Sequence, residues 1–125
     1  GKSPRNLKGA YYLPTILTNI NRNMKVWKEE VFGPILPIVS FKTDEEAIEL
    51  ANDTIYGLGA DIFTRNKKRF LEVSSKIDAG GIYLNNGIRS HYDPFGGYKQ
   101  SGMGRELGRI GFQELCQIKV IMTKK

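Results

Sequence analysis

The sequence predicts an α/β fold, a mostly parallel sheet flanked by helices, within a chain of 125 residues. Three observations predict it. Short apolar runs bounded by turn residues alternate with stretches of helical apolar spacing, the pattern of strands exchanging with helices. The helical stretches open on residues able to cap them. The composition, 40% hydrophobic and 26% charged, is that of a globular chain, and a domain of this size can bury roughly two thirds of its unfolded surface.

The elements follow in order. Residues 1–10 are polar, with Pro4 and Gly9, and read as a loose leader or a cut edge. Tyr11–Leu17 is a short apolar run whose Pro14 confines it to an edge or an irregular strand. Residues 18–28, with Asn19, Asn21 and Asn23, read as loop. Ile35–Phe41 is an apolar run between turns, the signature of a buried strand. Thr43 or Asp44 can cap the next helix. Asp44, Glu45 and Glu46 sit in its first turn, where the dipole favours acids, and Ala47, Ile48, Leu50 and Ala51 form its apolar side. Gly57–Thr64 reads as a strand, and Asn66 can cap a second helix that turns Phe70, Leu71, Val73 and Ile77 inward. Asp78–Gly81 is a turn and Ile82–Leu84 a strand. Asn85–Gly104 is a long irregular segment with five glycines, and such loops are more often functional than not. Arg105–Cys116 carries a helical pattern with Gly108 and Gly111 inside it. Each costs about 1 kcal/mol relative to alanine unless a close backbone contact offsets it. Gln117–Met122 alternates as a last strand.

Several functions are excluded by what the chain lacks. No apolar run reaches the roughly 18 residues of a membrane span, and the basic start has no apolar region of signal-peptide type. The single cysteine, Cys116, cannot form a disulfide within the chain, which favours a reduced, cytoplasmic setting. The net charge of +6 permits an anionic partner, but there is no zinc-finger spacing, no RNP motif and no basic stripe, so no nucleic acid is expected. The run Arg65–Arg69 reads as the solvated start of a helix. His91 is the only histidine, so no multi-histidine metal site can form. Cys116 lies among apolar neighbours with only Lys119 to lower its pKa, and reads as a buried small residue rather than a nucleophile. The segment Pro94–Gly104 has no G-x-x-x-x-G-K-[ST] cradle. Its glycines suit a backbone that approaches something closely.

Glu29 and Glu30 remain. Both can be solvated acids at a strand entrance. A carboxylate can also accept both hydroxyls of a ribose, and Phe32 would share the side of Glu30 in an extended segment.

These residues resemble a known family. Glu30-Val-Phe-Gly-Pro34 looks like the E-x-F-G-P motif of the NAD(P)-dependent aldehyde dehydrogenase superfamily, and Pro94-Phe-Gly-Gly-Tyr-Lys-Gln-Ser-Gly102 with Gly104-Arg-Glu106 looks like its P-F-G-G-x-K-x-S-G…G-R-E segment. Pro14-Thr-Ile-Leu17, Tyr56-Gly-Leu58, Ala79-Gly80 with Asn85, and Lys119-Val-Ile121 fall in the family's order, so the resemblance runs from about Gly9 onward.

The resemblance implies a partial aldehyde dehydrogenase catalytic domain over residues 1–117 and a tail strand of oligomerisation type over 118–125. It makes Glu30 the ligand of the nicotinamide ribose, Phe32 the ring packed on the nicotinamide, and Phe95 an aromatic of the substrate pocket. It places Asn86–Asp93 at the substrate mouth and Asn85, Gly96 and Gly97 at its floor. The family's nucleophilic cysteine, general-base glutamate and Rossmann-type domain match nothing in this sequence, so the chain looks like a piece cut from a longer enzyme, with no catalytic residue of its own. In that enzyme a thiolate would attack the aldehyde, hydride would leave for the nicotinamide, and water would hydrolyse the thioester to the acid. NAD or NADP and an aldehyde are then expected in the intact enzyme and no cofactor on this chain alone, with homo-oligomers formed through the last strand. The alternative is a non-catalytic α/β module that mediates assembly.

Overall fold

The computed structural model describes residues 1–124. The chain divides into two compact units, Gly1–Ala47 and Ile48–Lys125, each described by itself.

The first unit holds β1 (Thr15–Leu17), α1 (Lys25–Lys28) and β2 (Ile35–Pro37). β1 and β2 pair in parallel, Thr15 opposite Ile35 and Leu17 opposite Pro37. β2 is shorter than the Ile35–Phe41 run predicts. Pro37 has no N–H to give, and the last ladder bond runs from the Ile38 N–H to the Leu17 carbonyl at 2.8 Å, where β1 ends. Pro14 stands just ahead of β1, outside the ladder. α1 falls in the stretch read as loop. Its four residues have no side-chain cap, and such a segment is too short for apolar periodicity to register.

The boundary between units lies within α2 (Asp44–Asn52). Thr43 caps this helix: its Oγ1 accepts the Glu46 N–H at 3.2 Å, while Glu46 Oε2 accepts the Lys42 N–H at 2.7 Å. β3 (Tyr56–Gly57), β4 (Gly59–Ile62), α3 (Lys67–Ser74), β5 (Gly81–Leu84), β6 (Tyr98–Lys99) and α4 (Gly108–Glu114) follow. β4 and β5 pair in parallel from Gly59–Gly81 to Ile62–Leu84, with α3 as the connecting helix. Asn66 caps α3 as expected, Oδ1 accepting the Arg69 N–H at 3.1 Å. Phe70, Val73 and Ile77 are half-buried. Leu71, expected inward, is 65% exposed, because it lies one residue off that stripe and so about 100° around the helix.

The Gly57–Thr64 run is two strands rather than one. It changes partner at Leu58: β3 pairs antiparallel with β6, and β4 pairs parallel with β5. The mostly parallel pairing that the sequence predicts is present, as three two-stranded ladders.

α4 begins at Gly108 rather than Arg105, because Leu107 and Gly108 take φ values of 63° and 59° and break the helical path. A Cβ on Gly108 would run into the Tyr92 carbonyl, and one on Gly111 into the backbone of Glu106. Both glycines are sites of close backbone contact, the circumstance that offsets their cost. Residues 117–122 form no strand among the described residues, since a strand needs a partner for its N–H and C=O groups. Ile118 and Met122 are 95% and 89% exposed. Cys116 is exposed rather than buried, for the same want of a packed neighbour. Among the described apolar side chains only Ala79 is buried, so the closed core expected for this length is not formed.

Polar contacts order the second unit instead. Lys99, at φ 53°, sends its Nζ to the Asn52 carbonyl at 2.8 Å and the Thr54 carbonyl at 3.2 Å, with Asp78 Oδ2 at 3.7 Å. A cation thus sits on the negative end of α2. Asn52 completes the junction, donating Nδ2 to the Lys76 carbonyl at 2.8 Å and accepting the Asp78 N–H at 2.9 Å. Asp78 is half exposed, so the two carbonyls carry most of the interaction. Replacing Lys99 with methionine returns these exposed carbonyls to water. The expected loss is about 1 kcal/mol, read as a lower urea midpoint for the protein carrying Lys99→Met, with the slope of the transition unchanged.

Candidate functional site

Glu30 and Phe32 lie in the first unit, on the segment that joins α1 to β2. Glu29 ends α1, its N–H reaching the Lys25 carbonyl at 2.8 Å. The Gly33 N–H then bonds the Val31 carbonyl at 2.8 Å, and the Ile35 N–H bonds the Gly33 carbonyl at 2.8 Å. Two three-residue turns therefore follow one another, centred on Phe32 and on Pro34. The ring constraint of Pro34 suits such a turn. Thr15 N–H picks up the Pro34 carbonyl at 2.9 Å and starts the β1–β2 ladder.

This corrects one expectation. The segment is not extended at Phe32, so strand alternation does not relate it to Glu30. Phe32 stands instead at the apex of a turn and is 93% exposed. The Glu30 carboxylate is also exposed and has no hydrogen-bond or ion-pair partner among the described residues. An acid with both oxygens free and a ring with both faces free sit two residues apart, on a backbone held by its own hydrogen bonds.

Phe95 lies in the second unit, on the glycine-rich segment. Its N–H and carbonyl exchange two hydrogen bonds with Glu106, at 2.7 and 2.6 Å, closing residues 95–106 into a loop. Close packing beneath it is backbone on backbone: a Cβ on Gly80 would strike the Gly96 carbonyl. Ser101 Oγ accepts the Gly57 N–H at 3.0 Å, and the Gln100 N–H bonds the Ile55 carbonyl at 2.9 Å. Phe95, Gly97, Met103, Arg105, Phe112 and Leu115 line a groove of about 640 Å³ between this loop and α4.

The approach to Phe95 is anchored at its start. Asn85 and Asn86 take φ values of 52° and 60°, a left-handed pair that asparagine tolerates better than most residues. Asn85 extends the β4–β5 edge with its side chain, accepting the Thr64 N–H and donating to the Thr64 carbonyl, both at 2.9 Å. Asp61 Oδ2 accepts the Asn86 N–H at 3.0 Å. Further on, Asp93 Oδ2 accepts the Ser90 N–H at 2.9 Å. His91 is exposed in this loop. Among the described residues no group of three or more His, Cys, Asp or Glu side chains could hold a metal.

Two arginines face aromatic rings here, with different surroundings. Arg105 lies 5.2 Å from the centroid of Tyr98 and donates Nη1 to the Gly97 and Gly104 carbonyls at 3.1 and 2.8 Å. It fastens the glycine loop. Arg89 lies 4.2 Å from the centroid of Phe95, and its Nη1 is enclosed without an acceptor. An unpaired enclosed donor costs about 1–3 kcal/mol. The resemblance placed Arg89 within the Asn86–Asp93 loop at the substrate mouth without singling it out, and assigned Arg105 no role. The G-R-E motif marks Arg105 without saying what it holds, and nothing in the local sequence of Arg89 distinguishes it from a solvated loop residue.

The chain is similar to known proteins over nearly its whole length. The model of the Aldehyde dehydrogenase family matches residues 1–121. The chain is 44% identical over 125 residues to the chloroplastic betaine aldehyde dehydrogenase of Atriplex hortensis, covering 98% of this chain and 25% of that protein. It is 41% identical to human aldehyde dehydrogenase 1A1, covering 99% of this chain and 25% of that one. The structure is similar to that of betaine aldehyde dehydrogenase from Staphylococcus aureus in complex with NAD+, with a TM-score of 0.83 at 40% identity over 90% of this chain and 23% of that one. A Mycobacterium tuberculosis aldehyde dehydrogenase complexed with NAD+ gives 0.82 at 37% identity, over 89% of this chain and 23% of that one. The chain therefore spans about a quarter of the length of the curated relatives it matches.

Proposed function

This chain belongs to the aldehyde dehydrogenase family, and from that premise we propose that it supplies the nicotinamide-ribose and substrate-pocket residues of an enzyme oxidising an aldehyde to a carboxylic acid. The observation that carries the reading is the free Glu30 carboxylate beside the exposed Phe32 ring. A carboxylate with no protein partner can accept both hydroxyls of a ribose. An exposed ring held at a turn apex offers a flat apolar face to a nicotinamide. These residues fit the dinucleotide, which when bound supplies the hydride acceptor. NAD is the form we propose, in keeping with the NAD+ complexes of the structural neighbours, and NADP is the alternative. Phe95, held by its paired bonds to Glu106, lines the aldehyde pocket, and residues 86–93 border its entrance. A cytoplasmic setting agrees with the single unpaired cysteine.

The role of this chain is orientation rather than bond breaking. Holding the ribose fixes which face of the nicotinamide meets the substrate. Glu30→Gln keeps the shape and removes the charge that draws the two hydroxyls in. In the enzyme carrying this chain, Glu30→Gln is expected to slow hydride transfer about tenfold or more, with KM for the aldehyde changed by less than about twofold. Single-turnover measurement of NADH formation checks this, and equal losses in both parameters would remove the assignment.

Cys116 is exposed, with its Sγ 3.5 Å from the Phe112 carbonyl. Among the described residues no base or cation pairs with it, so the chain by itself is expected to give no aldehyde-dependent NADH. Turnover that disappears on Cys116→Ala would contradict this.

A specific observation favours a second role, in assembly. Ile118, Val120 and Met122 alternate along the chain and are 95%, 76% and 89% exposed, and an alternating apolar segment without a ladder partner pairs readily with another sheet edge. We propose that residues 118–125 pair with a second copy. Removing residues 117–125 should lower the mass found by sedimentation, and an unchanged mass would count against a tail of this kind.

A further inference from the structure

We infer that Arg89 makes the site selective for aldehydes that carry a carboxylate at the far end, against those that carry a quaternary ammonium. The inference rests on the proposed place of Phe95 in the aldehyde pocket and names the substrate class that this pocket takes.

The guanidinium of Arg89 covers one face of the Phe95 ring, 4.2 Å from its centroid. Among the described residues that contact is its one interaction: Arg89 has no hydrogen bond and no ion pair, and its Nη1 is enclosed with nothing to donate to. The carboxylate that the loop does contain is engaged elsewhere. Asp93, the single acid in residues 85–95, accepts the Ser90 N–H and makes no ion pair with Arg89. Arg105 shows the contrasting arrangement nearby, with its ring contact and with two carbonyls satisfying its Nη1. Arg89 is therefore a positive charge held against the pocket aromatic with its forked donors unused.

Two chemical consequences follow. A carboxylate arriving beside Phe95 can take a bidentate pair of charge-assisted bonds from the Nε–Nη2 edge of the guanidinium, which is not enclosed as Nη1 is, the geometry for which arginine is better suited than lysine. A trimethylammonium group would need the ring face for a cation–π contact. On the covered side that face already holds a cation, and a second would be repelled at short range. Several relatives are named for cationic aldehydes, betaine aldehyde and 4-trimethylaminobutyraldehyde among them.

The test uses the full-length enzyme carrying this chain and three probes: 4-oxobutanoate, propanal and betaine aldehyde. The wild type is expected to prefer 4-oxobutanoate in kcat/KM. In Arg89→Met, kcat/KM for 4-oxobutanoate is expected to fall about tenfold to a hundredfold, with propanal changed by less than about twofold and betaine aldehyde unchanged or improved. Arg89→Lys, which keeps the charge and loses the fork, should recover part of the loss. If Arg89 instead pairs with a carboxylate of the protein itself, Arg89→Met will lower all three values together or lower Tm with the ratio of 4-oxobutanoate to propanal unchanged. Either result overturns the inference. Oxidation of propanal without preference for 4-oxobutanoate overturns it as well, and leaves the aldehyde dehydrogenase reading standing. Failure to oxidise any of the three overturns that reading, and this inference with it.

Discussion

The second unit depends on a contact in which no side chain takes part. Gly80 meets the Gly96 carbonyl so closely that a Cβ has no room, and Gly57 meets the carbonyl of Asp78 in the same way. The glycine-rich segment can therefore lie directly on the turn that precedes β5. Everything that segment carries is placed by this approach: the short β3–β6 ladder, the Ser101 hydroxyl under Gly57, Lys99 at the end of α2 and Phe95 opposite Glu106. Van der Waals and hydrogen-bond forces act over a few ångströms, so a backbone that comes this close positions its side chains more tightly than one held at side-chain distance.

Charge completes what close approach begins. Lys99 and Arg105 are both spent on carbonyls, one at a helix terminus and one inside the loop. Each converts a cation into a fastener by giving its donors to the backbone carbonyls of two residues. Arg89 carries the same chemistry and has no such outlet among the described residues. Two arginines on two rings, one saturated and one not, separate a structural use of the residue from a use that awaits another molecule.

Apolar burial contributes less here than the composition suggests. With Ala79 the single buried apolar side chain among the described residues, the ladders, caps and cation contacts account for most of the visible order. Faces such as those of Phe32, Ile88, Phe112 and Ile118 remain open. Exposed apolar surface on this scale marks places of contact. For Phe32 the proposed contact is a cofactor ring and for Ile118 a second copy, and the distinction lies in the free carboxylate that accompanies the first.

The sequence by itself determined the class of fold, the cap at Asn66 and the choice of Thr43 or Asp44 for the other, the course of β4, α3 and β5, and the family, through motifs spaced over nearly the whole chain. Those features are local or recurrent: a cap is decided within four residues, and a motif is legible wherever it stands. It also singled out Glu30, Phe32 and Phe95, through their motifs rather than through any contact between them. Only the tertiary structure decided that Gly57–Thr64 changes partner at Leu58, that α4 waits until Gly108, that Phe32 crowns a turn instead of lying in a strand, and that residues 117–122 pair with no strand among the described residues. Each of these turns on a partner distant in sequence or on its absence. A hydrogen-bonding edge, like the unused donors of Arg89, is defined by what lies opposite it, and no reading along the chain contains that information.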